Sequence, residues 1–190
     1  MQVIDPTSRL GRLIARQAQK RHLAAVWAEL AGIMPGMTVL DVGAGSGALS
    51  FEYAAMVGPG GLIIALNPDA MCRDYVAAEA VQRGVNLRSL LGTVEALPLL
   101  PAQPDRVMLT DALHHMENPV AALRALRAVI HPQGLLFIAE YDPAGEGAVG
   151  VKLARRTYPN DLLAMLAAAK FSISATADAP DEHYTIIARP

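Results

Sequence analysis

The spacing of apolar residues changes from segment to segment along the chain, and the changes mark its elements. From about Ser8 to Gly32 apolar residues recur at three- and four-residue steps, clearest at Leu23, Val26, Trp27 and Leu30, which predicts one helix. Thr7 or Ser8 caps its start, and Gly32 with Pro35-Gly36 ends it. Arg9, Arg12, Arg16 and Lys20 form a basic stripe on this helix, read as a solvated outer face rather than a contact for an anionic partner. Met37–Val42 is a short apolar run stopped by glycines and predicts a buried strand. Helices are then predicted at 46–57, Asp69–Arg83 and Pro119–Ile130, and strands at Leu62–Leu66, Val85–Leu91, Arg106–Thr110 and Leu135–Glu140.

Such alternation leaves no room for hairpins, so it predicts parallel strands joined by crossover helices and covered on both faces. The C-terminal part differs. After a helix at Asn160–Lys170, the strands Phe171–Thr176 and Tyr184–Ala188 are separated only by a short Asp/Pro-rich loop. Strands that close pair antiparallel, so the sheet ends with a reversed strand. The expected fold is α/β: a Rossmann-like three-layer sandwich around a mostly parallel seven-stranded sheet. One domain is expected over 1–190, with an N-terminal helix (1–36), a core (37–141), and a short lid with the C-terminal strands (142–190). The irregular stretch 142–158 is the candidate lid.

Composition narrows the function classes. Hydrophobic residues are 53% of the 190 and charged residues 18%, enough apolar material for a large core. A net charge of −2 gives no overall field toward nucleic acid or an acidic membrane. The single cysteine, Cys72, excludes an internal disulfide framework or a thiolate metal cluster. No apolar run approaches the ~18–20 residues of a membrane span, and the first residues do not read as a secretory signal. A cytoplasmic protein is the expectation.

The strongest local signal runs from Val39 to Ala48, where a strand enters Gly43-Ala44-Gly45-Ser46-Gly47 and a helix opens. Glycines allow a tight bend and close approach to a ligand, and the helix start offers free N–H groups. At the end of the first strand, this loop falls at the topological switch point. By itself it also satisfies a dinucleotide fingerprint through Gly43, Gly45 and Ala48. Asp41, just before the glycines, would repel a pyrophosphate but suits a cationic ligand.

At these residues the chain resembles the class I S-adenosylmethionine-dependent methyltransferases. Asp41-Val42-Gly43-Ala44-Gly45-Ser46-Gly47 is similar to the family's first motif. Gly92–Leu97 with Pro98 resembles its segment after the third strand, and Pro104–Thr110 its fourth strand. Leu113-His114-His115-Met116 with Asn118-Pro119 resembles the signature of the small-molecule branch, whose members include quinone-methylating enzymes, and Ala122–Glu140 extends the likeness. The resemblance covers about 37–141.

The resemblance implies S-adenosylmethionine as cofactor and a role for each matching position. Gly43, Ala44, Gly45 and Gly47 would pack against its methionine part, and Asp41 would orient its amino-acid moiety. Asn67, followed by Pro68, stands where the family places a carboxylate on the ribose hydroxyls. An amide there lacks the charge-assisted bidentate acceptor, a loss of roughly 1–2 kcal/mol in cofactor affinity. Asp69 either compensates or serves the start of its helix. Thr93 replaces the acid that meets the adenine amino group, with Val94 and Glu95 beside it. Thr110, Asp111 and His114 would line the methyl-transfer end, where Asp111 and His114 are the catalytic candidates.

Methyl transfer from a sulfonium is an in-line displacement, so the protein mainly positions the acceptor and excludes water. A base is needed only where the acceptor loses a proton; His114, Asp111, Glu140 and Tyr141 are candidates. No spacing demands a metal. The segment typical of amino-directed DNA methyltransferases is absent, which leaves a small-molecule acceptor. Residues 142–158 are short for a substrate cap, leaving an open pocket or one completed by a second copy, a homodimer. Lys152, Arg155 and Arg156 on that stretch are read as solvated. Two other readings stay open at this point: a non-catalytic domain of this fold, motivated by Asn67 and Thr93, and a nicotinamide-dependent oxidoreductase.

Overall fold

The computed structural model describes residues 4–190. Residues 1–3 of the expected N-terminal segment lie outside it. Seven strands form one sheet: β1 (Thr38–Val42), β2 (Leu62–Asn67), β3 (Leu87–Leu91), β4 (Arg106–Thr110), β5 (Leu135–Tyr141), β6 (Ser172–Ala179) and β7 (His183–Arg189), in the order β3-β2-β1-β4-β5-β7-β6. The first five are mutually parallel, and β7 runs antiparallel between β5 and β6. The reversed finish expected from the short loop is therefore present.

Six helices complete the layers: α1 (Arg9–Ala18), α2 (Leu23–Ala31), α3 (Ala48–Val57), α4 (Ala70–Arg83), α5 (Pro119–Val129) and α6 (Pro159–Ala168). Period-two alternation splits the strand residues between two cores. Leu40, Val42, Leu109 and Ile138 face α5 and α6, where Leu123, Leu126, Leu162 and Leu166 are buried. Val39, Met108, Phe137 and Ala139 face the other layer, with Trp27 of α2, Tyr53 of α3 and Val76 of α4. Each apolar side chain buried this way contributes about 1.5–3 kcal/mol.

The single helix expected over Ser8–Gly32 is two. Ser8 does cap the first, its Oγ accepting from Gly11 N at 2.9 Å, and left-handed Gly32 ends the second. Between them, Lys20 N donates to Gln17 O and Leu23 N to Lys20 O, both at 3.0 Å, in tight turns. The break lets α2 lie on the sheet while α1 turns over its carboxyl ends. Tertiary contacts of Lys20 outweigh a helical period that would run straight through.

β1 has β2 on one side and β4 on the other. The chain leaves it in opposite directions, so a crevice opens above its carboxyl end. The glycine loop and the ends of β2, β4 and β5 meet there.

Candidate functional site

Three glycines shape the loop after β1, with φ of 72° at Gly43, 58° at Gly45 and 75° at Gly47. Side chains rarely adopt these angles, so the loop demands glycine. Gly43 N and Ala44 N donate to Leu66 O at 2.9 and 3.1 Å, and Gly45 N donates to Asn67 Oδ1 at 2.6 Å. The tip of β2 thus holds the loop. Gly92 N in turn donates to Asn67 O at 2.8 Å, which brings the segment carrying Thr93, Val94 and Glu95 alongside.

Asn67 is buried, and its Nδ2 has no partner. Thr93 Oγ1 accepts from Ala96 N at 3.1 Å and shapes a turn; Val94 is buried in the core and Glu95 is exposed. Asp69 caps α4, accepting from Met71 N at 2.8 Å, and pairs with Arg9. Of its two expected roles, the structure shows the helix start.

A second group of polar residues lies under the loop on the α2/α3 side. Asp41 is buried, and Ser50 Oγ donates to its carboxylate. Burial pushes the Asp41 carboxyl up to about 6 against the pull of Ser50. Tyr53 is fully buried and its hydroxyl has no partner; burial, then the charges of Asp41 and Asp111, raise its phenol further.

The backbone of Asp111 is left-handed at φ 53°, a conformation held by its contacts. One carboxylate oxygen faces His183 Nε2 at 2.9 Å, and the other takes a hydrogen bond from Lys20 Nζ. Burial would raise its carboxyl, but the His183 and Lys20 bonds and charges win and hold it below the usual carboxylate range. Both oxygens of the carboxylate are thus committed, to Lys20 and to His183. Lys20 is correspondingly turned inward, away from the solvated face expected of the basic stripe. Tyr141 completes the cluster: its ring lies 4.2 Å from that of His183 and 5.0 Å from Lys20 Nζ.

On the opposite face of the sheet stands His114, in the short turn after β4. Its Nδ1 lies 2.7 Å from Glu140 Oε2 at the end of β5, and both side chains are almost wholly buried. Glu140 Oε1 accepts from Leu113 N at 2.8 Å, which fixes the carboxylate. His114 Nε2 has no partner. His115 is exposed beside it, with ring centroids 4.2 Å apart, and Asn118 caps α5.

The cover comes from two places. Gln17 of α1 reaches the glycine loop, where its Oε1 accepts from Ser46 N at 2.6 Å and from Ser46 Oγ at 2.7 Å. A Cβ on Gly45 would stand 2.2 Å from Gln17 Nε2, so that glycine also makes room for the amide. A helix of this chain therefore lies over the glycine loop. The 142–158 stretch folds back over Tyr141. Arg156 is buried there: its guanidinium donates to Asp142 O, Val149 O, Val151 O and Glu182 Oε2. It is an internal pin, not the solvated cation expected from the sequence. Lys152 and Arg155 are exposed as expected.

The structure thus gathers Asp41, Gly43, Ala44, Gly45, Gly47, Asn67, Pro68, Thr110 and Asp111 around one crevice. Thr93 and Val94 stand at its β3 side, and His114 across the end of β4. Gln17, Lys20, Tyr53 and His183 escaped sequence reasoning. The one available signal was the three-residue spacing of Gln17 and Lys20, which resembles any polar surface.

Comparison with known proteins gives the same picture. The family described as "Methyltransferase domain" matches residues 40–138. A ubiquinone/menaquinone biosynthesis C-methyltransferase of Ectopseudomonas mendocina is 29% identical over 119 residues, covering 62% of this chain and 46% of that protein. One of the same description from a Shewanella species (strain ANA-3) is 27% identical over 158 residues, 82% of this chain and 60% of that one. The chain therefore spans about half the length of these relatives. A crystal structure of a SAM-dependent methyltransferase from Aquifex aeolicus superposes with a TM-score of 0.86 at 20% identity, covering 98% of each chain.

The residues present fit S-adenosylmethionine. The glycine cradle admits backbone approach, Asp41 is a buried carboxylate with no cation paired to it, and Asn67 Nδ2 is an unspent donor at the tip of β2. A ligand with an ammonium group and ribose oxygens answers both needs.

Proposed function

This chain belongs to the methyltransferase-domain family, and we propose from that premise that it methylates a small-molecule acceptor, with His114 as the general base. The observation that carries the reading is the His114–Glu140 pair. A carboxylate only accepts, so Nδ1 carries the proton in the 2.7 Å contact, and in the neutral ring Nε2 is then the lone pair. An acceptor placed against Nε2 loses its proton there as its nucleophilic atom takes the methyl group.

The cofactor supplies an activated methyl group on sulfur. Asp41 and the glycine loop bind its amino-acid end, Asn67 and Pro68 meet the ribose, and Thr93, Val94 and Glu95 border the adenine. Thr110 lines the methyl-transfer end. The two covers exclude water and fix the line of attack. The description of the relatives as C-methyltransferases supports a ring carbon as nucleophile. Removing a ring hydroxyl proton at His114 would raise electron density on that carbon. Among the described residues no helix is long and apolar enough to cross a membrane; the free, buried thiol of Cys72 supports a cytoplasmic setting.

The test is calorimetric titration with S-adenosylmethionine, S-adenosylhomocysteine and NAD, followed by a screen of phenolic and enolic acceptors. Micromolar binding of the two sulfur ligands, no binding of NAD and turnover of an acceptor are expected. Failure to bind either sulfur ligand would overturn the reading.

A further inference from the structure

Gln17 near the end of α1 and Lys20 in the turn after it occupy the amino-acid end of the site with groups that copy a zwitterion. Gln17 Oε1 takes both donors of Ser46 at 2.6 and 2.7 Å, as a carboxylate oxygen would. Lys20, three residues on, presents its ammonium to Asp111, in a pair whose side chains are 24% and 12% exposed. Around them buried polar groups are short of partners among the described residues. Tyr53 hydroxyl has none, and Asp41 has Ser50 alone. Asp41 and Asp111 are both near enough to Tyr53 for their charges to raise its phenol, and Lys20 brings a cation to Asp111.

We propose that the end of α1 and the turn after it are part of the cofactor site: Lys20 leaves Asp111 to bind the α-carboxylate of S-adenosylmethionine, and Asp111 takes the α-ammonium. This deepens the methyltransferase reading and rests on it. The exchange conserves charge pairing. One buried ion pair opens, the cofactor brings one cation and one anion, and two pairs form in its place. The Gln17 oxygen withdraws, and the two donors of Ser46 pass to the carboxylate. The ammonium then lies between Asp111 and Asp41, and it answers the carboxylate that burial leaves without a cation.

The rival explanation is that Lys20 only fastens α1 to the sheet. A fastener must be undone before a ligand enters, so its loss would tighten binding of every ligand. A binding group, by contrast, matters only to ligands with an amino-acid end. The experiment titrates the full chain and Lys20→Met calorimetrically with S-adenosylhomocysteine and with 5′-methylthioadenosine, which lacks the amino and carboxyl groups. Lys20→Met should weaken S-adenosylhomocysteine about tenfold or more, the worth of one charge-assisted hydrogen bond. 5′-Methylthioadenosine should bind unchanged, and Lys20→Arg should restore most of the loss.

Lys20→Gln, which still donates to Asp111 without a charge, replaces Lys20→Met where that variant does not fold. Trp27, the chain's one tryptophan, packs 5.3 Å from the His183 ring and gives an independent fluorescence titration. Unchanged or tighter S-adenosylhomocysteine binding in the variant overturns the proposal, and so does an equal loss for both ligands. Wild-type chain that binds neither ligand fails the methyltransferase reading itself, which separates the two failures.

Discussion

His114 and Glu140 stand 26 residues apart in sequence, yet their side chains meet at 2.7 Å across the ends of β4 and β5, sealed from solvent. The carboxylate holds the ring in one tautomer and leaves Nε2 without a partner. His114→Asn keeps a donor for Glu140 but removes the ring base. It is expected to lower turnover by about 10²–10⁴ and to leave S-adenosylhomocysteine affinity unchanged. Steady-state kinetics beside calorimetry checks both. Glu140→Gln should lower turnover too, because the amide satisfies either tautomer and no longer selects the useful one. A loss of cofactor binding equal to the loss of rate would remove His114 from the chemistry.

Asp41 trades stability for binding. Its carboxyl rises from the ordinary 3.8 to about 6 because burial disfavours the charge. Between those values the unfolded chain releases the proton while the native chain keeps it. Stability therefore falls as pH rises through this window, and the cost is complete above about 6. At 1.36 kcal/mol per unit the cost is about 3 kcal/mol. Asp41→Asn should be more stable than wild type at pH 7 by up to that amount, with the gap closing below about pH 4. Denaturant unfolding across pH measures it. Wild-type affinity for S-adenosylhomocysteine should climb up to about pH 6 as the carboxylate forms, and the Asn variant should bind weakly throughout.

The same contrast shows what the sequence could disclose. Strands buried on both faces appear as continuous apolar runs, so the parallel core, the crossover helices and the reversed last strand were all legible. The glycine loop was legible because positive φ requires glycine at Gly43, Gly45 and Gly47. Long-range polar pairing was not. Lys20 looks like one more cation on a basic stripe until Asp111, 91 residues on, claims it. Arg156 likewise looks solvated until β7 brings Glu182 to it. The residue type of Asp111 suggests a base, while its pairing with Lys20 and His183 depends on three separate elements that the sequence does not bring together. Period and composition report on apolar burial; they carry little about which buried charges meet.

Asn67 offers a gain of affinity. Its Oδ1 already accepts from Gly45 N at 2.6 Å, while Nδ2 is buried without a partner. Asn67→Asp keeps the loop contact and turns the orphan donor into an acceptor for ribose hydroxyls. S-adenosylhomocysteine should bind about tenfold more tightly, in line with roughly 1–2 kcal/mol for a charge-assisted bond. Without ligand the new buried charge should lower thermal stability. Unchanged affinity in calorimetry would take position 67 out of the ribose contact.

The 142–158 cover depends on one buried cation. Arg156 donates to the carbonyls of Asp142, Val149 and Val151 and to Glu182, while Glu182 also accepts from Gly147 N at 2.9 Å and Ala148 N at 3.0 Å. The Arg156 bond, ahead of the backbone bonds, lowers the Glu182 carboxyl below its ordinary 4.5. A lowered carboxyl contributes to the closed form above the ordinary value and loses that contribution as pH falls through the folded value. Arg156→Met keeps an apolar side chain but removes the guanidinium from the Tyr141 ring and strands three carbonyls and an acid. Hydrogen exchange should then accelerate across 142–158 and leave β1 and β4 protected, because neither strand touches this network. Acidification from the ordinary value of 4.5 down through the lowered folded value should loosen the same stretch in wild type, and Glu182→Gln should largely abolish that pH response. Acceptor KM should rise in Arg156→Met more than cofactor affinity falls, since the cover lies over the ends of β5 and β7 and not over the glycine loop.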